Sequence, residues 1–472
     1  MIRHRFVRAN PGHPAPGFFF SGPDFASQHP HTGKIGLASG KDTATIPRMF
    51  VELITTGSEL LLGATLNSHQ QWLGRRLADL GLPVCRQLTV PDAGTAIADA
   101  VADAFTRADL VITTGGLGPT SDDRTRSEIA RLLGVPLVHD AAVARQIEHA
   151  FARRNRPVPV SSLVQAEVPA GARVLVNEHG SAPGLALAFP RLGQNSPAGL
   201  LIMLPGPPRE LQPMFDASVV PLLREKFPVC EEFVSVTLQT IGIGESRVEE
   251  AIRPRLDKLV TAGLEIGFCA RSGEVDVRLS ATGESARVCV GEAVAVVRRL
   301  LGKFIYSDAR LSLEEVVVGE LRRQRKKLAI AESCTGGLLS SCITDVPGAS
   351  EVFVGGVIAY SNQLKERLLG VEPATLARHG AVSEATVREM AAGARLRHGG
   401  DFALAITGIA GPTGGTPEKP VGTVFIGLAH DAGVEVRQEL NALDRATFKW
   451  ISTRQALDLL RRVLFGLPLP SK

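Results

Sequence analysis

The chain has 472 residues, of which 44% are hydrophobic and 21% charged, and its formal net charge is +4. That length exceeds one ordinary hydrophobic core, so we expect two to four domains, and the small net charge excludes a dominant electrostatic attraction to nucleic acid or membranes. No apolar run approaches the roughly 20 residues that span a bilayer, and six scattered cysteines without a C-x-x-C pair favour a reducing cytoplasm over a disulfide framework or a zinc site.

The first 48 residues differ from the rest of the chain. They hold four histidines and many prolines and glycines, and they show no helical or strand period. The first clear strand begins directly after Met49. We therefore hypothesise that Met49 is the natural start and that residues 1–48 are disordered or not translated.

Residues 49 to about 230 show the rhythm of a first α/β domain. Three apolar runs are typical of strands, and two segments between them have helical spacing: 51–55, 84–90 and 110–114, with 67–80 and 96–105. This βαβαβ order predicts a mainly parallel sheet covered by helices. Ligands of such sheets bind at the carboxyl ends of the strands, so we expect a site there.

Glycine-rich and polar segments follow two of these strands. The residues that we assign to ligand binding are Gly57, Ser58, Glu59, Gly115, Gly116, Gly118 and Thr120. Glycines bare backbone amides to a ligand, and the adjacent pair Asp122 and Asp123 suits a hard divalent cation. The alternative interpretation is that these two carboxylates cap the helix predicted at 126–133.

Three strings in this region resemble the molybdopterin-binding-like domain of the competence/damage-inducible protein A family. They are T-G-S-E-L at 56–60, T-G-G-L-G-P-T-x-D-D at 114–123 and L-P-G-P-P-x-E at 204–210, which adds Gly206 and Pro207 to the expected binding residues. The resemblance implies a nucleotide pocket and a metal-dependent ADP-ribose pyrophosphatase. A divalent metal would neutralise the diphosphate and position the attacking water. We expect Asp122 or Asp123 as its ligand, with Glu59 and Glu210 as weaker candidates, and the identity of the metal stays open.

Residues 231–308 are predicted to form a small β-α-β-β-α-β domain. Its strands and helices are predicted at 234–240, 246–256, 265–271, 274–281, 285–301 and 304–306. The family's corresponding domain is similar to KH modules, which clamp nucleic acid with a G-x-x-G loop. The nearest string here, Gly242-Ile243-Gly244-Glu245, lacks that spacing and adds an acid. We therefore interpret the domain as a spacer and expect no nucleic-acid partner.

Residues 309–472 form the last predicted domain. A capping box at Ser312 predicts a helix that ends near residue 324, and a buried strand follows at 328–331. The next residues, A-E-S-C-T-G-G at 331–337, place the Ser333 hydroxyl and the Cys334 thiol at a strand-to-helix turn. Unpaired amides at such a turn can stabilise an oxyanion. The alternative interpretation is an ordinary glycine turn with a packed serine.

The other strand ends of this domain carry similar residues. Strands are predicted at 352–360, 402–406 and 424–429, and a helix at 383–396. The residues that follow them are Tyr360 and Lys365, then Thr407, Gly408, Gly411, Gly414 and Gly415, and finally Arg445 before the last helix. We expect one cleft for a small phosphorylated ligand, with glycine amides and Arg445 binding its phosphate.

This domain is identified as a member of the nicotinamide-nucleotide amidase family by a further set of strings. They are A-E-S-C-T-G-G, Y-S-N-x-x-K at 360–365, H-G-A-V-S at 379–383, T-G-I-A-G-P at 407–412 and K-P-V-G-T-V at 419–424. The resemblance implies hydrolysis of nicotinamide mononucleotide to nicotinic acid mononucleotide and ammonia, without a cofactor. It implies Ser333 as nucleophile and Lys365 as its base, with Tyr360, Thr407 and Arg445 at the active site and Thr335, Gly336 and Gly337 beside the substrate. It also suggests a homodimer.

The proposed pair makes a chemical demand on Lys365. Free lysine has a pKa near 10.4, so a base at neutral pH needs that pKa lowered by about 3 units. Burial and a cationic neighbour such as Arg445 would lower it. Cys334 is the alternative nucleophile, with His379 as its base, but adjacent residues at a strand end point opposite ways and we expect Cys334 to pack inward.

The sequence thus predicts a cytoplasmic, bifunctional hydrolase of pyridine nucleotides with a multidomain α/β fold. The alternative is an amidase whose first domain binds a pterin or nucleotide as a regulator. We expect small-molecule substrates and no membrane partner.

Overall fold

The computed structural model describes residues 49–92, 95–191, 198–227 and 233–469. The hypothesis of a disordered or untranslated extension concerns residues 1–48, which lie outside the described residues. Within the described ranges, no helix combines the length and hydrophobicity of a membrane-spanning segment.

The first domain is built on a six-stranded sheet of order β2-β1-β3-β8-β7-β6. Its strands are β1 Val51–Thr56, β2 Val84–Val90, β3 Leu110–Thr114, β4 Leu137–His139, β5 Glu167–Pro169, β6 Arg173–Leu175, β7 Gly184–Phe189 and β8 Gly199–Leu204, of which β4 and β5 form a separate pair. Its helices are α1 Ser58–Leu61, α2 Ser68–Asp79, α3 Ala96–Phe105, α4 Thr125–Leu133, α5 Ala141–Ala152, α6 Pro208–Met214 and α7 Val220–Lys226.

The predicted parallel sheet is confirmed for β2, β1, β3 and β8. Every residue of β1 is buried, because Ile54 packs into the core under α3 to α5 while Leu53 packs into the core under α2, α6 and α7. The antiparallel edge formed by β7 and β6 was not predicted.

The start of α4 corrects one interpretation. Its N-cap residue is Arg124, whose side chain makes no capping hydrogen bond in the described structure. Asp122 and Asp123 therefore do not cap this helix, and their carboxylates belong to the loop that precedes it.

The middle domain confirms the predicted β-α-β-β-α-β order. Its elements are β9 Phe233–Ile241, α8 Glu245–Thr261, β10 Glu265–Arg271, β11 Glu274–Thr282, α9 Ala286–Leu301 and β12 Ile305–Ser307. They form an antiparallel sheet of order β10-β11-β9-β12. Val275, Val277 and Leu279 are buried in the core that the two helices cover.

The last domain is a five-stranded sheet of order β14-β13-β15-β16-β17. Its strands are β13 Leu328–Glu332, β14 Phe353–Ile358, β15 Phe402–Gly408, β16 Thr423–His430 and β17 Gly433–Leu440. Its helices are α10 Leu313–Gln324, α11 Leu338–Thr344, α12 Asn362–Leu369, α13 Pro373–His379, α14 Glu384–His398 and α15 Arg445–Leu464. The capping box at Ser312 and the cap at Ser383 are confirmed, whereas α12, α13 and β17 were not predicted.

Side-chain size decides which helices cover each face of this sheet. In β13, Leu328 and Ile330 pack on the side of α10, α11 and α15, whereas Ala329 and Ala331 face α14. The small alanines allow α14 to approach the sheet closely, and β15 repeats the same alternation. The three parallel strands β14, β13 and β15 end at one edge, which carries the candidate site.

Candidate active site

Ser333 and Lys365 are in direct contact at this edge. Ser333 follows the last residue of β13, and Lys365 lies on α12, whose N-cap residue is Ser361. Lys365 Nζ donates to Ser333 Oγ at 3.0 Å, to the Ala359 carbonyl at 2.8 Å and to the Tyr360 carbonyl at 3.1 Å. A neutral amine would keep two N–H groups for the carbonyls and turn its lone pair toward the serine hydroxyl.

The lysine is in the environment that a base requires. Its exposed fraction is 1%, and burial lowers the pKa of Lys365 from its ordinary value, although the neighbouring Cys334 acts the other way. The expectation that Arg445 helps to lower the pKa of Lys365 is wrong. The Arg445 guanidinium donates to the Gly411 carbonyl at 2.9 Å and to Tyr360 Oη at 3.4 Å, and burial alone lowers the pKa of Lys365.

Cys334 packs inward, as expected. It is buried in the core with Leu339 and Ile343, and burial raises the pKa of its thiol to about 12. Such a group stays protonated at neutral pH and is a poor nucleophile. The backbone carbonyl of His379 accepts from Lys419 Nζ, and no hydrogen bond joins His379 to Cys334 in the described residues.

Glu332 is a site residue that the sequence analysis missed. Its carboxylate is fully buried and accepts from the amides of Gly337 at 2.9 Å, Leu339 at 3.2 Å and Ser340 at 2.8 Å. The Ser340 hydroxyl also donates to it, at 2.7 Å. The strand end thus caps α11 and fixes the turn that carries Ser333. An acidic residue directly before the serine was the available signal.

The cap changes which amides can stabilise an oxyanion. The amides at the start of α11 were expected to be free, but those of Gly337, Leu339 and Ser340 are bound to Glu332. The Gly336 amide donates to the Ser333 carbonyl. The amides of Cys334 and Thr335 lie nearest to Ser333 in sequence. Within the described residues they donate to no backbone carbonyl, and the acceptor beside both is the Cys334 sulfur, which is a weak one.

The remaining predicted residues of this domain divide into two groups. Tyr360 and Arg445 are exposed and contact each other. Thr407 Oγ1 instead donates to the Ala381 carbonyl at 2.8 Å, and the Thr335 hydroxyl is fully buried and has no partner among the described residues.

The predicted glycines of this domain mainly permit close packing. A Cβ on Gly411 or Gly415 would approach Val421 to 2.6 Å, and one on Gly408 would approach the Thr423 carbonyl to 2.8 Å. Gly414, Gly336 and Gly337 have positive φ angles, which side chains rarely adopt. These glycines are explained by packing and backbone conformation.

The predicted segments of the first domain also meet. They follow β1, β3 and β8, which are neighbours in the sheet, and the Gly115 amide donates to the Leu204 carbonyl. A Cβ on Gly206 would lie 3.8 Å from Gly115 Cα, so the loop with Gly206 and Pro207 touches the loop after β3. The segment with Gly57, Ser58 and Glu59 is tied to Asp92, which accepts from the Ser58 amide at 2.9 Å.

The loop after β3 is held by its own polar residues. Asp123 Oδ2 accepts from the Thr120 amide at 2.9 Å and from the Thr120 hydroxyl, and a Cβ on Gly118 would approach this carboxylate to 2.3 Å. Thr125 packs equally tightly against Gly116. Arg126, which the sequence analysis missed, is buried and donates to the Leu117 carbonyl at 3.1 Å; burial lowers its pKa.

The carboxylates of this loop fit a shared metal site only in part. In the described residues, no three His, Cys, Asp or Glu side chains converge to hold an ion. Asp123 is engaged with Thr120, and Glu210 accepts from Asn177 Nδ2 at 2.9 Å. Asp122 is exposed. Mg²⁺ is commonly bound by one or two carboxylates together with substrate phosphates. This loop can offer the carboxylates, and a bound substrate would supply the phosphates.

The fold and the site together define a multidomain α/β protein that carries a buried serine–lysine contact at the edge of its last sheet. Models of three domain families match the chain: the "Probable molybdopterin binding domain" at residues 52–225, the "Damage-inducible protein CinA KH domain" at 235–307 and the "CinA C-terminal domain" at 310–464.

Relatives match over nearly the full length. A CinA-like protein of Akkermansia muciniphila is 46% identical over 413 residues, which cover 86% of this chain and 95% of the relative. A CinA-like protein of Desulfovibrio desulfuricans is 42% identical, covering 89% and 97%. The crystal structure of the competence/damage inducible protein CihA from Agrobacterium tumefaciens is 37% identical and covers 32% of this chain and 93% of that one, with a TM-score of 0.32. The chain belongs to the CinA family.

Proposed function

We propose that the last domain is a serine amidase that converts nicotinamide mononucleotide to nicotinic acid mononucleotide and ammonia. The observation that carries the proposal is the 3.0 Å contact between Lys365 Nζ and Ser333 Oγ. The buried amine has two carbonyl acceptors and, among the residues that the structure describes, no carboxylate partner, which favours its neutral, basic form.

The reaction would proceed through an acyl-enzyme. Lys365 accepts the hydroxyl proton of Ser333 while Oγ bonds to the carboxamide carbon. The carbon–nitrogen bond then breaks, and Lys365 returns the proton to the leaving nitrogen, which departs as ammonia. Water hydrolyses the ester and regenerates Ser333. The amides of Cys334 and Thr335, which donate to no carbonyl in the described residues, are the candidates for stabilising the oxyanion.

The test is ammonia release from nicotinamide mononucleotide by the purified chain, with and without a chelator. We expect chelator-resistant activity that Ser333→Ala lowers by at least about 1,000-fold. Cys334→Ala is the matched control, and it should keep most of the activity because its thiol is buried and protonated. Loss of activity in the cysteine variant alone would contradict the serine assignment.

We further propose that the first domain hydrolyses ADP-ribose with a divalent cation. The supporting observation is the meeting of the loops that follow β1, β3 and β8, with glycine amides and the exposed Asp122 at one edge. A bound cation would supply charge neutralisation for a diphosphate. The amides of Gly116 and Gly118 would bind its oxygens, because those of Gly57 and Gly115 already donate to the Val90 and Leu204 carbonyls. The alternative is a domain that binds a pterin or nucleotide without cleaving it.

Incubation of the full chain with ADP-ribose and Mg²⁺ or Mn²⁺ separates these alternatives. Hydrolysis predicts AMP release that a chelator abolishes and that Asp122→Asn reduces. Ser333→Ala should leave this reaction unchanged, since the serine lies in another domain. Binding of ADP-ribose without AMP release would favour the regulatory alternative.

A further inference from the structure

Arg126 is a buried cation in the first turn of α4. Its exposed fraction is 4%, and its guanidinium donates to the Leu117 carbonyl at 3.1 Å and to the Gly118 carbonyl at 3.4 Å. A guanidinium does not deprotonate in proteins, so a full positive charge is buried against backbone carbonyls. Burial of a charge without an ionic partner destabilises a fold, and packing alone therefore does not explain this residue.

The acids near Arg126 are engaged elsewhere. Asp123 and Glu167 are the acids whose charge acts on the guanidinium, but in the described residues neither forms an ion pair with it. Asp123 accepts from the amide and the hydroxyl of Thr120, and Glu167 lies 3.3 Å from His139. The guanidinium therefore has no ionic partner within the described part of the chain.

The start of α4 turns a row of loop carbonyls toward that helix. Thr125 Oγ1 donates to the Gly115 carbonyl at 2.9 Å, and the Thr125 amide donates to the Gly116 carbonyl at 3.1 Å. Arg126 holds the next carbonyl, that of Leu117, in the same way. Three successive peptides thus have their oxygens fixed on the side of α4.

The N–H groups of these three peptides point away from α4. In a trans peptide the N–H group is directed opposite to the carbonyl, so the amides of Gly116, Leu117 and Gly118 lie on the other side of the loop. In the described residues these amides donate to no backbone carbonyl. Successive amides on one side of a backbone form a concave site for an anion.

Gln165 holds the same loop from a second direction. It is 1% exposed, and its Nε2 donates to the Leu117 carbonyl at 3.3 Å, while its Oε1 has no partner among the described residues. A buried acceptor without a donor lowers stability. Two buried side chains therefore fix one carbonyl at a cost in stability, which favours a role of Arg126 and Gln165 in ligand binding.

We propose that Arg126 is a positioning residue of the first domain. It fixes the peptide between Leu117 and Gly118 so that three amides face one anion, and it adds its own positive charge from behind the loop. The inference rests on the proposed ADP-ribose reaction for the identity of the anion, a diphosphate. Arg126 acts through the loop, whereas the amides contact the substrate.

The experiment measures binding of inorganic pyrophosphate and of ADP-ribose to the full chain by calorimetry. A chelator is present, so that no metal contributes. Arg126→Gln retains a donor for the loop but removes the charge. We expect this variant to bind both ligands about 10- to 100-fold more weakly, the usual effect of losing one interaction with a charged group.

Two further variants separate the charge from the general effect of substitution. Arg126→Lys retains the charge and should restore the affinity to within about fivefold of the unmodified chain. Arg131→Gln removes an exposed arginine of the same helix, which pairs with Glu128, and should change the affinity by less than about twofold. Denaturant unfolding of Arg126→Gln should have a midpoint no lower than that of Arg131→Gln, because an unpaired buried charge is removed.

Each result bears on the inference separately from the hydrolase proposal. Unchanged pyrophosphate binding in Arg126→Gln would overturn the inference, as would an equal loss in Arg126→Lys or an unmodified chain that does not bind pyrophosphate. If pyrophosphate binds through Arg126 but ADP-ribose with Mg²⁺ or Mn²⁺ releases no AMP, the hydrolase proposal fails and the positioning role stands. AMP release that Arg126→Gln leaves unchanged would refute the role and keep the hydrolase.

Discussion

Lys365 is a long basic side chain with an exposed fraction of 1%, and in the described part of the chain none of its acceptors is a carboxylate. Burial without a counter-ion disfavours the ammonium form and lowers the pKa of the amine. The carbonyls of Ala359 and Tyr360 orient the two N–H groups that remain on a neutral amine. The surroundings of Lys365 therefore set both the protonation state of its amine and the orientation of that amine toward Ser333.

The activity should rise with pH until Lys365 is deprotonated. The neutral amine is the reactive form, so ammonia release should increase through the lowered pKa and level off below 10.5, the ordinary value for lysine. Lys365→Arg is the control, since a guanidinium does not deprotonate in this range and should be inactive at every pH. The pH profile of kcat measures this, and a profile that is flat from pH 6 to 10 contradicts the assignment.

The same lowered pKa predicts a pH-dependent stability. Between the folded and the unfolded pKa of Lys365, the unfolded chain binds more protons, so the free energy of unfolding rises with pH over that window. Lys365→Met should lack this rise. Denaturant unfolding of both proteins at several pH values below 10.5 provides the measurement, and equal slopes would exclude a strongly shifted lysine.

At the scale of elements, the site depends on how α11 and α12 begin. Ser361 caps α12, accepting from the Leu364 amide at 3.3 Å, and Lys365 follows one turn later. Glu332 caps α11 from the end of β13. The Glu332 cap fixes the backbone beside Ser333, and the Ser361 cap fixes the backbone that carries Lys365. The strand ends and helix starts therefore set the distance between these two side chains.

Glu332→Gln should damage this geometry. A glutamine retains one carbonyl oxygen but directs an NH2 group at an amide that previously had an acceptor, which costs roughly 1–3 kcal/mol of stability. We expect a lower free energy of unfolding and a reduced kcat with little change in the KM for nicotinamide mononucleotide. Glu351→Gln, on an exposed side chain, is the control. A Glu332→Gln variant with normal kcat would show that the turn does not need this cap.

At the scale of the whole molecule, α15 joins the last two domains. Its first turn carries Arg445, and farther along Arg454 contacts Glu274 of β11 and Glu314 of α10, each at 2.5 Å. Arg461 also donates to the carbonyls of Lys303 and Ile305. The middle domain is therefore packed against the helix whose first turn carries Arg445.

Glu274→Ala should weaken this junction. It leaves a buried guanidinium with one of its two carboxylates, which costs roughly 3 kcal/mol in comparable buried pairs. Glu249→Ala, on the exposed side of α8, should change the stability by less than about 0.5 kcal/mol. Denaturant unfolding followed by intrinsic fluorescence compares them, and equal stability of the two variants would contradict a structural role for the Arg454 pair.

Much of the fold was predictable because it depends on local patterns. The alternation of large and small apolar residues in β13, the capping box at Ser312 and the hairpin of the middle domain are visible within a few residues. β17 was missed because polar and charged residues interrupt its few apolar ones, and α12 was missed because one of its two buried residues is a lysine.

The sequence by itself determined the three α/β-type units, the strand ends at which polar residues gather, and the candidate serine and lysine. Only the tertiary structure decided that the lysine is buried against that serine, that burial keeps Cys334 protonated, that Glu332 occupies the amides of α11, and that Arg126 is buried against the loop after β3. Local spacing predicts elements because neighbouring residues set backbone conformation. Burial, pKa and charge balance depend instead on residues that are distant in the chain and meet after folding.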